Sequence, residues 1–175
     1  MKWQVQIMNW RDELGIPKGS DESSLACRPW TLSKQRKYRG LSVTPRVLAI
    51  LDCVTIQMLG GFEMTKSLLQ QPDATFRIEH AMEAVICDVS QNPVRRAFSN
   101  SQGIAKCQTT SSILYSFGAD RIVTAYEQML LQGHSRSMQL PDSMKQKDVS
   151  DLAGMGISLP CFAACIVAML CTCGV

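Results

Sequence analysis

The sequence predicts a mainly α-helical fold of five or six short helices, with a short strand at the N-terminus and a hydrophobic helix at the C-terminus. Apolar residues recur at helical spacing through the middle of the chain, and capping residues and glycines bound several of these runs. No charged residue occurs from Leu152 to Val175. Because 46% of the 175 residues are hydrophobic and 19% are charged, we expect a folded core rather than a disordered chain.

The N-terminal part, residues 1–23, is predicted to be a strand followed by a polar loop. Trp3, Val5 and Ile7 alternate with polar residues, and this period of two is typical of a strand with one buried face. One helical turn closed by Gly15 is expected next, and the polar run that starts at Lys18 has no periodicity.

Residues 24–133 are predicted to form a helical domain. Its best-bounded helix starts with Thr44 as N-cap and Pro45 as first residue, and Gly60 ends it. A short helix over 63–70 and an amphipathic helix over 74–90 follow. A short helix begins at Pro93, and a last helix runs from the cap Asp120 to Gln132, with Gly133 as its stop. The stretch 107–117 fits neither a helix nor a strand cleanly.

A basic segment opens this domain. No Asp or Glu occurs between Ser23 and Leu51, and aromatic residues are interleaved with the cations. Guanidinium groups and aromatic rings together suit phosphates of RNA, DNA or an anionic membrane surface. The alternative is a solvated basic loop. The candidate phosphate or lipid contacts, called the basic segment below, are Arg28, Trp30, Lys34, Arg36, Lys37, Tyr38, Arg39 and Arg46.

Residues 134–151 are predicted to be a linker, and residues 152–175 a hydrophobic tail. From Ile157 to Val175 all residues are apolar except Ser158, Pro160, Thr172 and Gly174. As a helix this stretch would cover roughly 28 Å, close to the ~30 Å hydrocarbon core of a membrane. A membrane anchor and a core helix that is buried on all sides both fit this pattern.

Three further patterns give candidate sites. Cys171 and Cys173 are candidates for S-acylation, although cysteine in an apolar run is also an ordinary small hydrophobic residue. Ser99 follows Arg95 and Arg96 at a spacing that resembles a basophilic kinase site, which makes it a candidate for phosphorylation. On the predicted helix over 74–90, His80, Glu83 and Cys87 share a face; a solvated face is the alternative to a metal or acid–base cluster.

The sequence predicts no catalytic, cofactor-binding or metal-binding residue, because it holds no nucleophile elbow, phosphate-binding loop or dinucleotide fingerprint. Eight cysteines without a secretory signal at the N-terminus favour an intracellular protein. We expect a non-enzymatic helical interaction protein with an unknown protein partner, attached to a membrane through its C-terminal segment. The alternatives are a soluble regulator that contacts RNA or DNA through the basic segment, and a fragment of a larger enzyme.

Overall fold

The computed structural model describes residues 2–21, 23–99, 107–156 and 159–173. These residues form a mainly α-helical fold with one small sheet, which confirms the predicted fold class. The chain divides into two compact units. Unit 1 comprises Met1–Lys106 and Ile113–Ile122, and unit 2 comprises Cys107–Ser112 and Val123–Val175.

Unit 1 contains five α-helices, a 3-10 helix and an antiparallel sheet of three short strands among its described residues. The strand order is β1-β2-β3, with Cys87 opposite Tyr115 and Tyr115 opposite Ile122. The elements are α1 (Lys2–Glu13), α2 (Pro29–Ser33), α3 (Pro45–Met58), α4 (Phe62–Leu69), α5 (Ala74–Met82), β1 (Ile86–Asp88), the 3-10 helix (Pro93–Arg95), β2 (Leu114–Ser116) and β3 (Arg121–Ile122).

Helix α3 is the centre of the unit 1 core, as the sequence predicts. Thr44 caps it, because its side chain accepts a hydrogen bond from the Val47 backbone N–H at 3.3 Å. The left-handed φ of Gly60, 93°, ends it. Residues 50–56 of α3 are all buried, and Leu51 and Val54 are 0% exposed. The short helix expected over 63–70 is α4.

The predicted N-terminal strand is wrong, because residues 2–13 form helix α1. Ile7 and Trp10 are buried, Trp3 packs against the same core, and Val5 is 58% exposed. A strand would have placed Val5 on the same face as Ile7. Spacings of four and three between Trp3, Ile7 and Trp10 instead match a helical face, and three alternating residues are too short a run to decide the period.

Two predicted helices are also shorter than expected. The helix over 74–90 ends at Met82, and Ile86–Asp88 form strand β1. The predicted cap Asp120 instead has a left-handed φ of 50° ahead of β3, and the next helix starts after the cap Thr124. Thr124 and Glu127 form a capping box there, so the stronger start signal lies four residues beyond the predicted one.

Unit 2 is built on the helices α6 (Ala125–Leu131), α7 (Gln146–Met155) and α8 (Leu159–Cys173). Ala125 and Met129 of α6 are buried against Val149 and Ala153 of α7. Helix α7 therefore starts inside the range predicted as a linker, and its C-terminal part, from Leu152, belongs to the range predicted as tail.

Candidate membrane helix and basic segment

Helix α8 exposes apolar side chains around its whole circumference. Every described side chain from Leu159 to Thr172 is exposed. Phe162 and Met169, on one side of the helix, are 50% and 63% exposed, and Val167, on roughly the opposite side, is 58% exposed. Within unit 2, α8 is therefore not a buried core helix.

By length and composition, one segment, Gln146–Thr172, is long and apolar enough to cross a membrane among the described residues. The packing of Val149 and Ala153 against α6 assigns the first part of this segment to the unit 2 core. Helix α8 alone has 15 residues, which cover about 22 Å of the ~30 Å hydrocarbon core. Residues 152–155 of the predicted tail thus belong to α7, and the helix whose described side chains are all exposed starts at Leu159.

The start of α8 is held by the end of α6. The backbone N–H of Leu159 donates to the carbonyl oxygen of Gln132 at 2.8 Å, and the Gln132 side chain donates to the Ala153 carbonyl at 3.0 Å. Gly133, with a φ of 87°, lies so close to Pro160 that a Cβ would come within 2.6 Å of the proline ring. These contacts fix where α8 begins, and the described side chains that follow, through Thr172, are exposed.

The cysteines of α8 are accessible where they are described. Cys161, Cys165 and Cys171 are exposed free thiols. The Cys173 side chain lies outside the described residues. Acylation of Cys171 and Cys173 stays a prediction, and the exposure of Cys171 is compatible with it.

Most of the basic segment is engaged inside unit 1. Trp30 is 1% exposed, so its ring offers no free face to a nucleobase in this fold. The guanidinium carbon of Arg36 lies 3.5 Å from the Trp30 ring centroid, a cation–π contact, and the Arg36 side chain is only 4% exposed. Its Nη1 donates to Glu79 Oε1 at 3.1 Å, and Lys34 Nζ reaches the same oxygen at 2.9 Å. The hydrogen bond from Lys34, together with the nearby cations, lowers the pKa of Glu79.

Two further arginines of the segment hold the fold together. Arg46 donates to the backbone carbonyls of Val89, Ser90 and Gln91, and so ties the first turn of α3 to the chain that follows β1. Arg28 Nε lies 3.4 Å from Asp52 Oδ2. These contacts use the cations for tertiary structure.

Asp52 is a buried carboxylate that the sequence analysis missed. It is 3% exposed and caps α2 from the side of α3. Its Oδ1 accepts from the backbone N–H groups of Trp30 at 3.0 Å and Thr31 at 2.9 Å, and its Oδ2 accepts from Thr31 Oγ1 at 2.5 Å. Burial raises the pKa of Asp52 to about 6, although the hydrogen bonds and Arg28 act in the opposite direction. One signal for it was available: Asp52 is the only charged residue within the apolar run 47–56.

The remaining residues of the segment are Lys37, Tyr38 and Arg39. The backbone N–H groups of Lys37 and Tyr38 donate to the Asp120 carboxylate at 2.7 and 3.2 Å, and Arg39 pairs with Arg121 as an isolated parallel bridge. The side chains of Lys37 and Arg39 are exposed, and Tyr38 is partly buried. Contact with phosphates or lipid stays a prediction, and these two exposed cations are its best-placed carriers.

The structure separates the other predicted cluster and buries the predicted phosphorylation residue. Cys87 is buried in β1, while His80 and Glu83 are exposed on and just after α5, with 3.7 Å between His80 Nδ1 and Glu83 Oε2. No three His, Cys, Asp or Glu side chains converge as a metal site within the described ranges.

Ser99 is 0% exposed, and its Oγ accepts a hydrogen bond from the Ile86 N–H at 2.9 Å. A kinase would reach Ser99 only after this edge of the sheet opens.

Comparisons with protein-family models, with curated proteins and with solved structures found no match to this chain.

Proposed function

We propose that this protein is a helical interaction protein attached to a membrane through α8. The observation that carries the proposal is an uncharged apolar helix in which every described side chain from Leu159 to Thr172 is exposed. Soluble proteins rarely leave such a contiguous apolar surface in water, because its burial is favourable by about 25 cal/mol per Å². A helix without a polar face suits insertion into hydrocarbon better than a position in the membrane surface.

Helix α7 supports a boundary between a folded unit and a membrane segment at the start of α8. It carries Lys147, Asp148 and Asp151, and it buries Val149 and Ala153 in unit 2. The charged residues stop before α8 begins, as expected where a folded unit ends and a membrane segment starts. We propose that the protein contacts another protein at the membrane, and the identity of that partner is unknown.

The test is fractionation of cells that express the full chain, with carbonate and detergent washes and with flotation in a density gradient. We expect the wild-type chain to resist carbonate, to dissolve in detergent and to float with membranes. Ile166→Asp with Val167→Asp adds two charges to the middle of α8, and each costs about 3 kcal/mol at the centre of a membrane helix. This variant should leave the floating fraction.

A matched control carries the same two charges elsewhere. Met64→Asp with Val94→Asp changes two side chains of unit 1 that are 62% and 65% exposed. The control should float like the wild-type chain. A wild-type chain that stays soluble after carbonate, or an α8 variant that still floats, would contradict membrane attachment. Flotation separates membrane attachment from aggregation, since aggregates sediment.

A further inference from the structure

A cavity in unit 1 lies beside the Arg28–Asp52 pair. It has a volume of about 290 Å³ and is lined by Arg11, Arg28, Pro45, Leu48, Ala49 and Asp52. This volume is near the lower end of ligand pockets in proteins, so it suits a small ligand or a head group. Arg11 belongs to α1, and Arg28 is the residue that precedes α2. The other four lining residues lie on one face of α3.

The electrostatics of this cavity favour an anion. Two guanidinium groups line it, and one carboxylate, Asp52, lies beside them. That carboxylate already accepts hydrogen bonds from Trp30, Thr31 and Arg28. Its lone pairs are therefore used within the protein rather than presented to the cavity.

The two Nη groups of Arg28 are available as hydrogen-bond donors. Its contact with Asp52 runs through Nε alone, at 3.4 Å, which is long for a charge-assisted bond. Within the described part of the chain, no other residue accepts a hydrogen bond from its two Nη groups, and its side chain is 32% exposed. A guanidinium group with two Nη donors available matches the oxygens of a phosphate or a carboxylate in bidentate geometry.

Apart from Asp52, the residues that α3 contributes to the cavity are apolar. Pro45, Leu48 and Ala49 lie at spacings of three and four along the first turns of α3, so they form one side of the helix. The positive end of the helix dipole is at Pro45, which also favours negative charge nearby. From this combination we infer that the cavity binds a small anion, a phosphate monoester or a carboxylate, that carries a short apolar body.

The test uses the full chain in nonionic detergent and measures binding by calorimetry. Phenyl phosphate provides the anion with an apolar body, and inorganic phosphate provides the anion alone. We expect saturable binding of phenyl phosphate, about tenfold tighter than that of inorganic phosphate, because the ring adds apolar contact with the α3 wall. Leu48→Asn should weaken phenyl phosphate and leave inorganic phosphate unchanged.

The decisive comparison is between two charge removals in unit 1. Arg28→Gln should weaken both ligands by about tenfold or more, since a lost charge-assisted hydrogen bond is worth about 1.5–3 kcal/mol. Arg39→Gln, the matched control on an exposed residue, should change the affinity less than about twofold. Equal losses in the two variants, or no saturable binding by the wild-type chain, would overturn the inference.

A second variant of Arg28 and a binding measurement in nanodiscs complete the test. Arg28→Lys retains the charge beside Asp52 but loses the planar pair of Nη groups, so it is the variant to use if Arg28→Gln does not fold, and it should also bind both ligands more weakly than wild type. The chain in phosphatidylcholine nanodiscs with and without phosphatidic acid distinguishes the source of the anion. Weaker phenyl phosphate binding in the presence of phosphatidic acid identifies a lipid head group, and unchanged binding identifies a soluble ligand.

Discussion

At the scale of single residues, Asp52 links the pH of the solution to the stability of unit 1. The pKa of this carboxyl is about 6 in the folded chain, against an ordinary value of 3.8. Between these two values the folded chain holds a proton that the unfolded chain has released. Stability therefore falls as the pH rises through this window, and the difference between the two pKa values corresponds to about 3 kcal/mol.

Asp52→Asn should remove this pH dependence and keep the cap. An amide oxygen still accepts from the N–H groups of Trp30 and Thr31, and the amide does not titrate. The free energy of unfolding in urea, measured at about pH 4 and about pH 7, should differ less in this variant than in the wild-type chain. Asp142→Asn, at an exposed position, is the control and should retain the wild-type difference. An unaltered pH dependence in Asp52→Asn would contradict the assignment.

Asp52→Ala tests the cap itself. It leaves the N–H groups of Trp30 and Thr31 without an acceptor in a buried place, which costs about 1–3 kcal/mol for each unsatisfied group. We expect this variant to unfold at lower urea concentration than Asp52→Asn at neutral pH. Equal urea midpoints of the two variants would show that hydrogen-bond acceptance at position 52 adds no stability. The carboxylate would then contribute through its charge alone.

At the scale of elements, α1 shows why an alternating pattern misleads. The strand hypothesis and the observed helix disagree on one pair of residues, Val5 and Ile7. A strand would place both on one face, whereas α1 exposes Val5 and buries Ile7 at 5% exposure.

Substitution of this pair by lysine separates the two structures. Val5→Lys should change the free energy of unfolding by less than about 0.5 kcal/mol, as is usual for exposed positions. Ile7→Lys places a charge in the core of unit 1 and should cost about 3 kcal/mol or more, if the chain folds at all. Thermal unfolding followed by circular dichroism measures both. Similar losses in the two variants would favour the strand.

The elements that the sequence predicts well are those with strong end signals. Thr44, Pro45 and Gly60 bound α3, and no tertiary contact overrides them. The end of α5 at Met82 has no such signal: no Gly or Pro occurs from Ala74 to Gln91, and pairing with β2 converts residues 86–88 into a strand. Strand pairing depends on residues far along the chain, which a local pattern does not contain.

The candidate sites differ in the same way in how far the local sequence determines them. The apolar character of α8 is a property of its composition, so the sequence already indicates it. The engagement of the basic segment depends on Glu79, on Asp52 and on the carbonyl groups after β1, all of them distant in sequence. A run of cations without local acidic residues therefore did not reveal how many of them are paired.

At the scale of the whole molecule, α8 is expected to add membrane attachment without adding stability. Its described side chains from Leu159 to Thr172 are all exposed, and the main link that its loss would break is the hydrogen bond from Leu159 to Gln132. A chain that ends at residue 158 should be soluble without detergent. Its unfolding temperature should lie within about 4–8 °C of that of the full chain, the shift that corresponds to about 1 kcal/mol in a small domain.

Circular dichroism and gel filtration test this expectation. A shortened chain that unfolds without cooperativity, or that aggregates, would show that α8 contributes to the core. Gly154→Ala provides the contrast within unit 2, because a Cβ at this position would lie 2.3 Å from the Thr109 backbone. This overpacking should cost about 1–3 kcal/mol.

The cap that α3 places on α2 has a consequence for the order of folding. Helix α2 has five residues, too few to persist on its own in water. The carboxylate that holds its first turn arrives 21 or 22 residues later in the chain, on a helix bounded by its own signals. The formation of α2 is therefore conditional on α3. In a hydrogen-exchange experiment the amides of Trp30 and Thr31 should exchange with the slow rate of α3 opening rather than with the fast rate of an isolated short helix.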